Sequence, residues 1–440
     1  MIEMFKYFDV SLCTAIFPEV QVMNWKAPAV LLIGLFLLGG IVTAAPVDKP
    51  EAVPLATVKA LAVRELHKFP EFNGAVPTNP TPLYFPDGRL AAYEFRMVKN
   101  GKTIGYIIVS ANRNLPPAIL EAGFGEKTPS DLMKELAVRK GAKNYRFAYL
   151  GGLSYGLLIG DKLMDIKGRE YKKPSRYTLS LEVEATKNQK EWKSIESIVL
   201  TTPKYPITPL ATITSEKIIY GVPAWTDTDP GGASDTDSNL GPAPDPWGDD
   251  DACAPIAGSM VVGYYEPQYR TDWYREAIID ILHDLMHTDY CGNTAPDDIG
   301  PGLEAFYQDA IRRYWEGELA DPPHCSYQVY WYENPDPSWL FGKLKYEVDN
   351  NRPGLFRTFQ AYLEESGKWI TWPHVMSFTG YRIYSNGYEY LQVHTGARNY
   401  EALSVDWILV GNWQNADLYV IYPTCISGPE PLSGGDTVER

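Results

Sequence analysis

Two side chains in this sequence have the types and settings that nucleophilic catalysis needs. Cys253 opens the run Cys253-Ala254-Pro255-Ile256-Ala257-Gly258-Ser259-Met260-Val261-Val262-Gly263-Tyr264-Tyr265, directly after Asp249-Asp250-Asp251-Ala252. The run is apolar or small on every side, which predicts a buried helix rather than an amphipathic one. A thiol at its N-terminus faces unpaired backbone N–H groups and the positive end of the helix dipole, and both stabilise thiolate over thiol. Pro255 fits the first turn, where its missing N–H costs nothing. Far downstream, His374 begins Val375-Met376-Ser377-Phe378-Thr379, a strand pattern that turns at Ser385-Asn386-Gly387 and returns as Tyr388–His394. A histidine at the start of a rigid strand is held well enough to act as general base and then general acid. Either residue alone reads as packing, since cysteine is among the most buried residue types and a lone histidine is usually structural.

Taken together, the Cys253–Tyr265 run and His374-Val375-Met376-Ser377-Phe378-Thr379-Gly380-Tyr381 resemble the papain-like cysteine peptidases. Within them the similarity is to the branch of bacteriocin-leader-processing peptidases, and it covers residues 217–423. Residues 56–125, with Pro82-Leu83-Tyr84 and Gly105-Tyr106-Ile107-Ile108-Val109-Ser110, resemble the pro-domains that precede streptopain-type cysteine peptidases. The resemblance implies an α+β chain with a papain-like catalytic domain behind a smaller α+β pro-domain, made as a zymogen. It further implies a peptide or protein substrate, no required cofactor, and a pro-domain that acts as intramolecular inhibitor. Cys253 would be the nucleophile, His374 the proton carrier, and the Cys253 backbone N–H one oxyanion donor.

The sequence departs from that family in two places. A Gln upstream of the nucleophile usually helps to bind the oxyanion. The matching stretch here, Gly221-Val222-Pro223-Ala224-Trp225-Thr226-Asp227, offers Thr226 or Asp227 instead. The Asn or Asp that orients the histidine should end the strand Tyr390-Leu391-Gln392-Val393, where His394 and Thr395 stand, with Asn399 and Asp406 as further candidates. These departures support an alternative, a catalytically inactive extracellular binding module that keeps the fold.

The elements that must position the pair follow from composition and periodicity. Lys26, the apolar stretch 27–45 and small residues at Val42 and Ala44 predict a signal peptide over 1–44, with a retained membrane anchor as the alternative. Secretion would leave no stable membrane insertion. Removing residues 1–44 takes the formal net charge from −15 to −14, a balance that argues against nucleic acid and anionic membrane surfaces as partners. Four cysteines then remain, and in an oxidising compartment Cys291 with Cys325 or Cys325 with Cys425 could pair. A first α+β domain is expected over 46–200, with a helix from Ala56 to His67 and a hairpin at Asn100-Gly101 between Leu90–Val98 and Thr103–Ala111. A helix capped by Ser130 and strands at Tyr145–Leu150, Tyr177–Glu184 and Trp192–Leu200 complete it. Four prolines mark a linker over 201–223, where cleavage would release the enzyme. The peptidase domain is expected over 224–427, with helices near Pro255–Tyr265, Trp273–Met286, Pro301–Trp315 and Ser338–Asp349. A loose tail follows over 428–440.

Three other patterns compete for a chemical role. His283-Asp284-Leu285-Met286-His287 has the i, i+4 histidine spacing of a zinc site, but with Asp284 where a catalytic Glu belongs. Gly152-Leu153-Ser154-Tyr155-Gly156 matches a nucleophile elbow, yet Leu157-Leu158-Ile159-Gly160 after it reads as a strand, so a Gly-rich turn is expected. The stretch 226–251 holds eight Asp and no Lys or Arg, which suits either a structural calcium or a solvated acidic loop.

Overall fold

In the computed structural model, residues 51–166, 168–201, 211–225, 253–289, 292–363, 369–396 and 405–426 are described. The expected signal peptide, Thr226 and Asp227, the Asp-rich stretch, Cys291, Asn399 and the tail 428–440 lie outside them. The fold is α+β, with a large mixed sheet and several helices. Among the described residues no helix is long and apolar enough to cross a membrane.

The N-terminal half opens with α1 (Leu55–Glu65), which buries Val58, Leu61, Ala62 and Glu65 at the expected helical spacing. Strands β1 (Val76–Tyr84), β2 (Leu90–Lys99), β3 (Lys102–Ser110) and β4 (Ile119–Phe124) follow. Asn100 and Gly101 join β2 to β3 with φ of 51° and 78°, the left-handed pair that a tight hairpin requires. Helix α2 (Pro129–Arg139) starts one residue after its N-cap, Thr128, whose N–H donates to Asp131 Oδ2 at 3.1 Å. Ser130, the expected cap, lies inside the first turn and bonds the buried Glu94 carboxylate through its N–H at 2.9 Å and its hydroxyl at 2.6 Å. Strands β5 (Tyr145–Gly151) and β6 (Ser154–Ile159) form a hairpin with Leu153 at φ 58°, so the elbow-like motif is a turn. Short strands β7 (Lys162–Asp165) and β8 (Glu170–Lys172) complete the run.

Two expected strands are corrected. The stretch 177–184 is a loop followed by a 3-10 turn over Ser180–Glu184. The stretch 192–200 belongs to α3 (Ala185–Thr201). Asn188, Trp192 and Ile195 recur at helical spacing and are buried, and the Trp192 indole N–H donates to the Leu115 carbonyl at 2.9 Å. A second correction concerns the linker: within 201–223 the chain forms strand β9 (Ile213–Ile218), which is paired into the sheet.

The C-terminal half contains α4 (Cys253–Tyr265), α5 (Asp272–Leu285), α6 (Pro296–Glu316), β10 (Cys325–Tyr332) and α7 (Pro337–Asp349). It ends with β11 (Gly354–Leu363), β12 (Trp369–Tyr384), β13 (Glu389–His394), β14 (Val405–Leu409) and β15 (Asn415–Cys425). Of the two pairings favoured from sequence, Cys325–Cys425 is formed, between directly paired residues of β10 and β15.

The strands run in the order β10-β15-β11-β12-β13-β14-β4-β3-β2-β1-β5-β6-β7-β8, with β9 added against β12. The β1–β5 pair is parallel and the others are antiparallel. Strand β12 is the axis of the C-terminal half. Its first part pairs with β11, its last part with β9, and β13 lies along its other side from Ser377 onward. The two halves are joined by β4 and β14 through Asp406↔Gly123, Trp407↔Ala122 and Ile408↔Glu121.

Candidate active site

Helix α4 is enclosed over almost its whole length, with Ala254 to Tyr264 all buried and Cys253 half-exposed at its first position. Small residues allow this. A Cβ at Gly258 would lie 2.9 Å from Met286 Cε, and one at Gly263 would lie 3.1 Å from Pro223 Cγ. The helix is therefore packed closely between α5 and the segment Ile219–Trp225.

His374 lies six residues into β12, not at the start of the strand as expected, and is partly buried. Its cross-strand partner is Thr358 of β11. On the other side of β12 the pairing with β13 ends at Ser377↔His394. The next outward N–H, that of Val375, instead donates to Cys253 Sγ at 3.3 Å. Adding the short covalent path from Val375 N to the preceding Cα puts Sγ within about 6 Å of the His374 Cα. The cysteine sulfur is thus held against the backbone of the histidine-bearing strand, although the two are distant in sequence. An N–H donor to sulfur and the N-terminus of α4 both stabilise negative charge there.

Gly396, just beyond β13, packs against the first turn of α4. A Cβ on it would lie 2.9 Å from Ile256 Cγ2, and its φ of 64° is one that side chains resist. Thr395 beside it is buried.

The four residues weighed as orienters of His374 part company. His394 is buried, and its Nδ1 is 2.9 Å from the Pro223 carbonyl. A carbonyl only accepts, so Nδ1 carries the proton. Burial pulls the imidazole down to about 4, only partly offset by that carbonyl, so the ring is neutral near pH 7. His394 thus ties the end of β13 to the segment that leads toward the expected oxyanion position. Asp406 is corrected: it lies on β14, two strands from β12, and accepts from Tyr106 of the N-terminal half at 3.4 Å. Thr395 stays near the site, and Asn399 is outside the described residues.

Thr358 was missed from sequence. It is fully buried directly opposite His374, and its Oγ1 has no hydrogen-bond partner among the described residues. Gln360, two residues along β11, shares that sheet face because side chains alternate along a strand. Its Oε1 accepts from the Gln414 N–H at 2.9 Å, while the buried Nε2 has no partner among the described residues. Nothing local in the sequence marks either residue. Only the register of β11 against β12 brings them beside the histidine.

The zinc-like pair comes apart. His283 is buried within α5, whereas His287 lies past the helix end at φ 49° and faces Asp298 Oδ1 at 3.3 Å. Leaving the helix destroys the shared face that the i, i+4 spacing promised. Among the described residues no group of His, Cys, Asp and Glu is placed to hold a metal ion, and the calcium candidate 226–251 is outside them. In comparisons with known proteins, no family model and no curated protein matches this chain.

Proposed function

We propose that this chain is a secreted cysteine peptidase of papain-like fold, made as a zymogen and using Cys253 and His374 to hydrolyse peptide bonds in a peptide or protein substrate. The observation that carries the reading is the Val375 N–H···Sγ contact, which sets a half-exposed helix-start cysteine beside the histidine-bearing strand. In the first step the Cys253 thiolate forms a bond to the scissile carbonyl carbon. His374 gives its proton to the amine as the C–N bond breaks, leaving a thioester. Water then loses a proton to His374, attacks the thioester, and the carboxylic acid departs as the thiolate returns.

The backbone N–H of Cys253 supplies one donor to the developing oxyanion. The Thr358 hydroxyl, across the strand pair from His374, offers an acceptor for the imidazole. No cofactor enters the scheme. A net charge of −15 also disfavours nucleic acid as a partner.

An extracellular binding module without activity is the second reading, favoured by Thr226 and Asp227 standing where a Gln amide is expected. Thiol alkylation at mildly acidic pH separates the two. Selective labelling of Cys253 with loss of peptide hydrolysis supports the peptidase. Peptide hydrolysis that survives Cys253→Ala excludes this nucleophile.

A further inference from the structure

We propose that the N-terminal half, residues 51–201, is a permanent structural partner of the C-terminal half. A cut between 202 and 210 would then produce a two-chain protein and not a released C-terminal enzyme. The proposal does not depend on the peptidase reading, because it concerns the seam between β4 and β14.

Four kinds of contact hold that seam. The first is the ladder itself. With β4 gone, β14 would become an open edge carrying Trp407 and Ile408, both fully buried. An apolar edge strand is a template for aggregation, which argues against its exposure in a released product.

The second is a shared core. Tyr384, Tyr390, Trp407 and Leu409 of the C-terminal half are buried in one cluster with Val58, Phe69, Ile107 and Leu120 of the N-terminal half. Gly152 of the β5–β6 turn has no room for a side chain, since a Cβ there would lie 2.7 Å from Ile408 Cγ2.

The third is a set of hydrogen bonds to backbone groups that cross the seam. Asn412 Nδ2 donates to the Leu120 carbonyl at 3.0 Å and the Tyr390 hydroxyl to the Ile119 carbonyl at 2.8 Å. The Gly152 N–H donates to the Asn412 carbonyl at 2.6 Å.

The fourth is charge. Arg382 on β12 is 1% exposed, donates to Glu71 Oε1 at 2.9 Å, and stacks 4.0 Å over the Trp407 ring. Departure of the N-terminal half would remove Glu71, leaving Arg382 to Glu216 of β9, whose Oε1 accepts from Nε at 2.8 Å, and would open the apolar surface around the guanidinium to water. Each of these features belongs to domain interiors, whereas separable domains meet through smaller and more polar surfaces.

The N-terminal half also borders the candidate site. A Cβ on Gly151 would lie 3.1 Å from Gln360 Nε2, on the sheet face shared by Thr358 and His374. The N-terminal half therefore packs against Gln360, two residues along β11 from the Thr358 that faces His374.

The test begins with a specific protease site placed within 202–210 of the full chain, cut under native conditions, and resolved by gel filtration. Both fragments should elute together at the size of the intact protein and part only in denaturant. Recovery of the C-terminal fragment alone, whether soluble or aggregated, overturns the proposal. Hydrogen exchange on the uncut chain gives an independent reading. The Trp407 and Ile408 amides should exchange as slowly as those of β12 around Phe378, and fast exchange at β14 with β12 still protected also overturns it.

Discussion

The backbone N–H of Val375 donates to Cys253 Sγ across 3.3 Å, although the two residues stand 122 positions apart in the chain. This contact makes the sulfur an acceptor held against the histidine strand. Cys253→Ala should lower kcat/KM for peptide hydrolysis by about 10³-fold or more, as loss of a nucleophile does, without disturbing the melting temperature. Activity assays and thermal melts on the same preparation check both halves of that statement.

Gly396 supports the same helix start from below. Gly396→Ala adds a Cβ into Ile256 and forces a side chain into left-handed backbone, a combined cost of about 1–3 kcal/mol. Denaturant titration should show the loss. Cys253 alkylation should slow or change its pH dependence as α4 shifts.

His394 gives the fold a dependence on acid. Its folded value, near 4, lies below the ordinary 6.5, so the unfolded chain takes up the proton more readily. Stability is fully present above about pH 6.5 and is lost as pH falls toward 4, by about 3 kcal/mol at most. His394→Gln should flatten that acid-side decline in thermal melts recorded between pH 7 and 4. An unchanged slope would falsify this assignment.

Glu121 acts in the opposite direction. It is fully buried on β4, accepts from the Tyr106 and Tyr155 hydroxyls and the Leu153 N–H, and has Asp406 nearby. Burial pushes its carboxyl from 4.5 up to about 7, with its hydrogen bonds opposing the shift. A raised carboxyl contributes stability below about pH 4.5 that is lost as pH climbs through 7, again by about 3 kcal/mol at most. Glu121→Gln should therefore raise the melting temperature more at pH 8 than at pH 5. Equal effects at the two pH values would show that Glu121 does not titrate in the folded state.

The Cys325–Cys425 bond closes a loop of 100 residues, for which chain entropy gives about 2–5 kcal/mol. Reduction should lower the denaturation midpoint accordingly. Cys253 should remain alkylatable throughout, since it takes no part in that bond.

Much of the candidate site could be read in the residue order, because its two main residues sit in strong local patterns. The uninterrupted apolar character of Ala254–Tyr264 announced burial, and Asn100-Gly101 announced its hairpin. Helix α3 was misread because Ile195, Ile198, Val199 and Leu200 look like a strand, while the helical spacing of Asn188, Trp192 and Ile195 starts outside that window. Strand β1 was missed because Pro77, Pro80 and Pro82 argue against a sheet. It pairs with β5 only at Leu83 and Tyr84, so most of its length is an edge that tolerates proline. Asp406 and Thr358 exchanged places as candidates for a reason that no window contains. Strand order carries one to the seam and register sets the other opposite the histidine.

The seam also sets a timetable for folding. Leu120 and Asn412, hydrogen-bonded across it, are 292 residues apart in sequence, so closing it means ordering a very long loop. Strand β4 leaves the ribosome long before β14 exists. Until β14 is made, β4 lacks its neighbour on that side, and an unpaired strand edge of this kind is open to pairing elsewhere.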